Sequence, residues 1–185
     1  LQNWLAVNGE IENYQHEYLE KHRQKLLREG EYWNEEELKM HFLSHIFFLA
    51  DIDIPEKLKL FYARTLQETI AQQDIFVKCD CMIATPFGIN TPQAPYFFLQ
   101  EFKRAKKPDD PEGQMLLAML CAQHQNDDGQ PIYGCYLQGK DWKFTTLCAS
   151  NYSVSKTFDA TEWDELQQII LILRRLKELI LKRLL

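Results

Sequence analysis

The run Tyr96-Phe97-Phe98-Leu99-Gln100-Glu101-Phe102-Lys103 decides how the rest of the chain is read. Every residue before Glu101 except Gln100 is aromatic or aliphatic, the composition of a strand covered on both faces at the centre of a sheet. A carboxylate and an ammonium follow at once. Side chains alternate along a strand, so Glu101 and Lys103 point to one face, with the Phe102 carbonyl in the backbone between them. A second carboxylate, Asp80, stands between Cys79 and Cys81 in an earlier apolar run. If the two runs pair across residues 85–95, which carry Pro, Gly and Asn, Asp80 and Glu101 face each other.

Upstream, residues 4–30 read as a helix rich in Glu, Gln, Lys and Leu, with Gly30 as its stop. Asn34 followed by Glu37 has the pattern of a capping box, and Leu38, Phe42, Ile46 and Leu49 then form one apolar stripe. Leu58, Phe61, Tyr62, Leu66 and Ile70 after Pro55 predict a third helix ending near Ala71. Residues 75–84 and 96–102 read as two paired strands. Downstream, Asp109 or Asp110 with Pro111 opens a buried helix through residues 115–122. Residues 132–137 and 142–148 form a hairpin around Gly139, Lys140 and Asp141, with a further strand over 152–157. Asp159 and Glu162 start a long amphipathic helix with Leu166, Ile169, Ile170, Leu173, Leu176 and Ile180 on its buried stripe. The expectation is one mixed α/β or α+β domain over 1–185, divided into a helical extension (1–33), a core (34–158) and a C-terminal amphipathic helix (159–185).

The 185 residues, 45% apolar, are enough for a real core, and seven Gly and seven Pro exclude a collagenous or low-complexity chain. No apolar run approaches membrane-spanning length and residues near Leu1 lack the order of a signal peptide, so the expected location is cytoplasmic, away from membranes. Five cysteines, an odd number lying in apolar or strand-like runs, argue for reduced thiols. The formal charge of −6 is concentrated in residues 1–60, where seven basic and twelve acidic side chains sum to −5. Against it stand two basic runs, residues 101–107 at +3 and residues 171–185 at +4. The second is a solvated helix end, whereas the first adjoins Glu101 and Lys103. No Gly-rich phosphate loop, dinucleotide fingerprint or nucleophile elbow is present, which leaves NTPase, dehydrogenase and α/β-hydrolase readings without support.

Two buried carboxylates side by side repel unless a proton or a cation is shared between them. Asp80, Glu101, the Phe102 carbonyl and water form a hard oxygen set suited to Mg²⁺ or Mn²⁺, an ion that acidifies bound water and steadies charge on a phosphate. Lys103 could orient or help activate that water and stabilise the pentacovalent transition state, with Arg104, Lys106 and Lys107 on the phosphates of the substrate. Phosphodiester hydrolysis is the chemistry that these parts imply.

Asp80 in one apolar strand, Glu101-Phe102-Lys103 at the end of the next, and a following helix with Gln114 near its start resemble the PD-(D/E)xK nuclease superfamily, over about three fifths of the chain. The run from Pro95 to Lys103 is similar to that of small uncharacterised bacterial proteins with this core. The resemblance implies a restriction-endonuclease-like fold, DNA as substrate, metal ligation by Asp80 and Glu101, and service of the water by Lys103. It also implies a carboxylate from a preceding helix, for which Glu37 is the best match and Glu36 the second. Some members carry a Gln and a Tyr four apart on the following helix; here Gln114 is followed by Ala118. Cys79 stands where the motif has Pro.

Plainer readings exist for each feature. Glu101 and Lys103 could be a structural ion pair. Glu37, His41 and His45 recur at helical spacing and could meet zinc, but a hydrogen-bonded packing role for His45 is the better expectation. Cys79 and Cys81 read as core thiols sharing a strand face, and Tyr133, Tyr136, Trp142 and Phe144 as cross-strand packing rather than a base-stacking surface. The terminal helix either closes the core or pairs with its copy in a homodimer. The alternative to an enzyme is a nuclease-derived module without turnover that binds a protein partner through its acidic helical front.

Overall fold

The structure, a computed structural model, describes residues 1–106 and 110–184. A seven-stranded mixed sheet runs in the order β1 (Lys59–Ile70), β2 (Gln73–Phe87), β3 (Thr91–Lys103), β4 (Ile132–Gln138), β5 (Asp141–Cys148) and β6 (Asn151–Val154), with β7 (Phe158–Asp159) also paired to β5. All neighbours are antiparallel except β3 and β4, which are parallel and joined by the crossover helix α5 (Pro111–Asn126). That crossover puts the carboxyl ends of two adjacent parallel strands at one edge of α5, the place where open α/β sheets hold ligands.

Helices cover both faces, giving a mixed α/β architecture. On one face Met115, Ala118, Met119 and Ala122 of α5 pack with Leu99, Cys79, Val77, Phe61 and Leu66. On the other, α1 (Gln2–Leu5), α2 (Asn13–Glu29), α3 (Glu35–Leu38), α4 (Ser44–Ala50) and α6 (Trp163–Arg183) surround a larger cluster with Phe97, Phe98, Phe102, Trp142 and Phe144 at its centre. Trp4 is 1% exposed and donates its indole N–H to the Ile172 carbonyl of α6 at 2.9 Å, which ties the first turn of the chain to its last helix. Among the described residues no helix is long and apolar enough to cross a membrane, and the five cysteines are free thiols.

Several expectations are corrected. The helix predicted over 4–30 is two helices separated at Gly9, whose φ of +107° needs glycine. The helix predicted up to Ala71 is instead the strand β1, paired in register with β2 from Lys59↔Ala84 to Ile70↔Gln73. Its apolar residues suit either period, and the long neighbouring strand decided the outcome through ladder hydrogen bonds. Cys79 and Cys81 do not share a face: Cys79 packs with α5 and Cys81 with the opposite core. The last helix begins at Trp163 rather than after Asp159, whose carboxylate accepts from the Thr161 amide and hydroxyl. Residues 44–50 and 35–38 are one apolar helix interrupted by a π-helical stretch, Lys39–Leu43.

Candidate active site

Asp80 owes its position to a break in strand parity. On β2, Ile75, Val77 and Cys79 face α5, yet beyond Asp80 it is Met82 and Ala84 that do so, while Cys81 and Ile83 face the other core. The same exchange occurs on β1, where Phe61 and Leu66 share a face although four residues, an even number, lie between them. The partner register stays regular across the break, Tyr62↔Cys81 and Arg64↔Cys79, so no residue is inserted. The exchange happens instead at Ala63, opposite Asp80, whose φ of +50° is in the left-handed region that a residue with a Cβ seldom takes. Between two residues that face opposite cores, the Asp80 side chain turns towards β3, where its Oδ2 accepts the Phe102 amide N–H at 3.0 Å.

The β2–β3 pairing ends at Cys81↔Gln100, so Phe102 lies past the last ladder pair and Asp80 takes the place of a strand carbonyl. Amide and carbonyl of one strand residue point the same way, which turns the Phe102 carbonyl towards Asp80 as well. Phe102 itself anchors in the larger core, so Glu101 and Lys103 lie on the α5 face, 5% and 6% exposed. Lys103 Nζ donates to the Glu101 carboxylate and lies 4.0 Å from Asp80 Oδ2. Asp80 keeps 24% of its side chain exposed, so the group opens to solvent along that residue.

Burial pushes Glu101 up to about 7, and the charge of Asp80 with the hydrogen bond between the two carboxyl groups adds to the shift against the opposing pull of Lys103. Burial alone would lower Lys103, but its hydrogen bond to Glu101 and the charges of Glu101, Asp80 and Glu35 outweigh it and hold the amine above its ordinary value. At neutral pH the cluster is therefore an ammonium beside a Glu101 carboxyl group that is only partly ionised.

The other expected residues are less close. Glu37 completes the capping box, its carboxylate accepting the Asn34 N–H at 2.8 Å while Asn34 accepts the Glu37 N–H at 2.9 Å. Glu36 pairs with Lys39. The carboxylate of this helix whose charge adds to the upward pull on Lys103 is Glu35. Gln114 is exposed in the first turns of α5, and Arg104 is exposed just past β3. Lys106 is engaged with Glu31 at 3.2 Å and lies over the Tyr32 ring at 5.0 Å. Lys107 and the alternative cap Asp109 lie outside the described residues. His45 Nδ1 is within 2.5 Å of the Tyr18 hydroxyl and its ring stacks on His22 at 3.7 Å, the hydrogen-bonded packing role expected of it, while His41 contacts Trp33.

Two features were not anticipated. Tyr136, 8% exposed, stands beside Glu101 in the parallel β3–β4 register and donates to Glu112 of α5 at 2.7 Å, an acceptor shared with Tyr152 at 3.3 Å. Lys143, opposite Tyr136 on β5, sits over its ring at 5.9 Å. Alternation along β4 and β5 carried the signal, since Tyr136 and Lys143 occupy the positions left by the inward-facing Cys135, Leu137, Trp142 and Phe144.

Among the described residues no group of three or more His, Cys, Asp or Glu side chains is placed to hold a metal ion. Two carboxylates and a backbone carbonyl nonetheless suit Mg²⁺, which binds through one or two carboxylates and keeps waters or substrate phosphates for the rest of its shell. Glu101, held near 7 by burial and by Asp80, is the chemical sign of a site that a hard cation would relieve. Comparison with family models, curated proteins and solved structures finds no match to the chain.

Proposed function

We propose that this chain is a metal-dependent nuclease that hydrolyses DNA phosphodiester bonds at Asp80, Glu101 and Lys103, on a restriction-endonuclease-like core formed by α3, β1 to β4 and α5. The observation that carries the reading is the contact of two carboxyl groups with one ammonium at the carboxyl end of β3, beside a backbone carbonyl. Asp80, Glu101 and the Phe102 carbonyl would hold Mg²⁺ or Mn²⁺. A bound ion of this kind acidifies water and offsets phosphate charge. Lys103 stays protonated, since its value is raised, so its contribution is a fixed positive charge at the oxygens of the transferring phosphoryl group and a hydrogen bond that orients the attacking water. Asp80 fixes the Phe102 backbone, and Glu35 adds to the field that keeps Lys103 charged. Arg104 supplies a cation for the flanking backbone, and Lys106 joins it once it leaves Glu31.

The first test is thermal melting with Mg²⁺ or Mn²⁺. With metal at tenfold its dissociation constant the native transition should rise by roughly 3–5 °C, about 1.4 kcal/mol, and Asp80→Ala and Glu101→Ala should not move. Cleavage of single-stranded, double-stranded and branched DNA should then appear with metal and fall at least ~100-fold in Lys103→Ala. Equal shifts in all three proteins, or undiminished cleavage by the lysine variant, would remove this site from the mechanism. A second reading, a module without turnover that binds a protein partner, is favoured by the exposed Tyr14, Tyr32, Met40 and Phe48 on an acidic helical front. Metal binding with no cleavage of any of the three DNA forms would select it.

A further inference from the structure

Asp80, Glu101, Tyr136 and Lys143 form one row across the sheet rather than along a strand. Asp80 meets β3 next to Glu101, Glu101 pairs with Tyr136, and Tyr136 pairs with Lys143. All four belong to the α5 side or its margin: Tyr136 packs there, and Lys143 lies between Trp142 and Phe144, both turned to the opposite core. The row crosses the carboxyl ends of β3 and β4 where α5 begins, and Glu112 in the first turn of α5 holds the Tyr136 hydroxyl and thereby the floor of the row.

Lys143 is a half-buried cation whose partner is a ring rather than a carboxylate; among the described residues it forms no ion pair. Lys25 over Trp33 and Lys59 over Phe61 are held in the same way, whereas Lys39, Lys106, Lys140, Lys156 and Lys177 pair with carboxylates; what sets Lys143 apart is its place in the row that carries Asp80 and Glu101. Neighbouring strands lie about 4.8 Å apart, so Lys143 is ~10 Å from Glu101 along the row and ~14 Å from the line of Asp80. One phosphate cannot bridge that distance.

We infer that Lys143 and Tyr136 form a second subsite, for a phosphate flanking the scissile one, and that the substrate is a strand of nucleic acid laid across β2 to β5 rather than a mononucleotide. The inference rests on the nuclease reading and extends it to the substrate. Lys143 neutralises the flanking phosphate, and the buried Tyr136 ring, fixed through its hydroxyl by Glu112, keeps the Lys143 ammonium in place.

Binding is read in an Asp80→Asn background, where turnover is absent, from the anisotropy of fluorescent single-stranded oligonucleotides of two to twelve nucleotides. Cleavage of the same series is read in the chain with Asp80 intact. Lys143→Ala should weaken binding about tenfold at low salt, reduce the slope of log affinity against log salt by about 1, and leave mononucleotide binding unchanged; Lys143→Arg should restore the slope. In cleavage, Lys143→Ala should raise KM and leave kcat within about twofold, because the contact is made equally in ground and transition states. Unaltered affinity and salt slope in Lys143→Ala, with oligonucleotide cleavage intact in the native chain, would overturn the subsite and leave the nuclease standing. A folded native chain that neither binds nor cleaves any oligonucleotide would overturn both.

Discussion

Glu101 is the most informative single residue, because its environment works against its charge. Its value near 7 lies above the ordinary 4.5, so its contribution to stability is fully present below the usual carboxylate range and is lost as pH rises through about 7. Without metal, the stability of Glu101→Gln relative to the native chain should become more favourable between pH 5 and pH 8, by up to roughly 3 kcal/mol, as read by denaturant unfolding at each pH. A constant difference across that range would show that burial does not govern this carboxyl group. At this scale Asp80, Glu101 and Lys103 were legible, because a strand-borne acid amid apolar neighbours has few bland explanations. Glu35 was not. The capping box had already committed the Glu37 carboxylate to its own helix start, and that signal in the sequence argues for a different glutamate at the site.

Among the elements, β1 shows how a local signal fails. Its turn to β2 uses Ala71 and Gln72, both left-handed at φ +51° and +66°, without the Asn-Gly pair that marks such hairpins in a sequence. Nothing announced a hairpin, and the apolar spacing fitted a helix equally well. The strand then reverses its faces at Ala63, so that Leu66 and Ile70 rather than Thr65 and Thr69 meet α5. Ala63 is exposed, so replacing it probes backbone conformation alone. Ala63→Gly should stabilise the protein by about 0.5–1 kcal/mol, since glycine takes the left-handed region freely. Ala63→Val should cost about 2 kcal/mol and abolish the metal-dependent rise in melting temperature, because the reversal aims Asp80 at β3. A valine variant that keeps native stability and the metal response would refute the link between the reversal and the site.

Over the whole molecule, the N-terminal segment is part of the core rather than an appendage. Trp4 meets Tyr133 at 5.0 Å, Phe144 at 5.3 Å and Phe98 at 6.4 Å edge-on, directly behind the strands that carry the site on their other face. Trp4→Ala should cost about 3–5 kcal/mol in equilibrium unfolding, through a large cavity and an unpartnered Ile172 carbonyl. A loss under 1 kcal/mol would mean that the sheet stands without this helix. The sequence alone determined the mixed α/β class, the central β3 strand, the β4–β5 hairpin and the long last helix, since each rests on periodicity, caps or turn chemistry confined to a short window. Only tertiary structure decided that β1 is a strand, that Ala63 reverses it, that Glu35 rather than Glu37 adds to the negative field at Lys103, and that Tyr136 and Lys143 line up with the acids. Those outcomes depend on which distant surface each segment packs against, and short-range preferences differ by too little to choose between the alternatives.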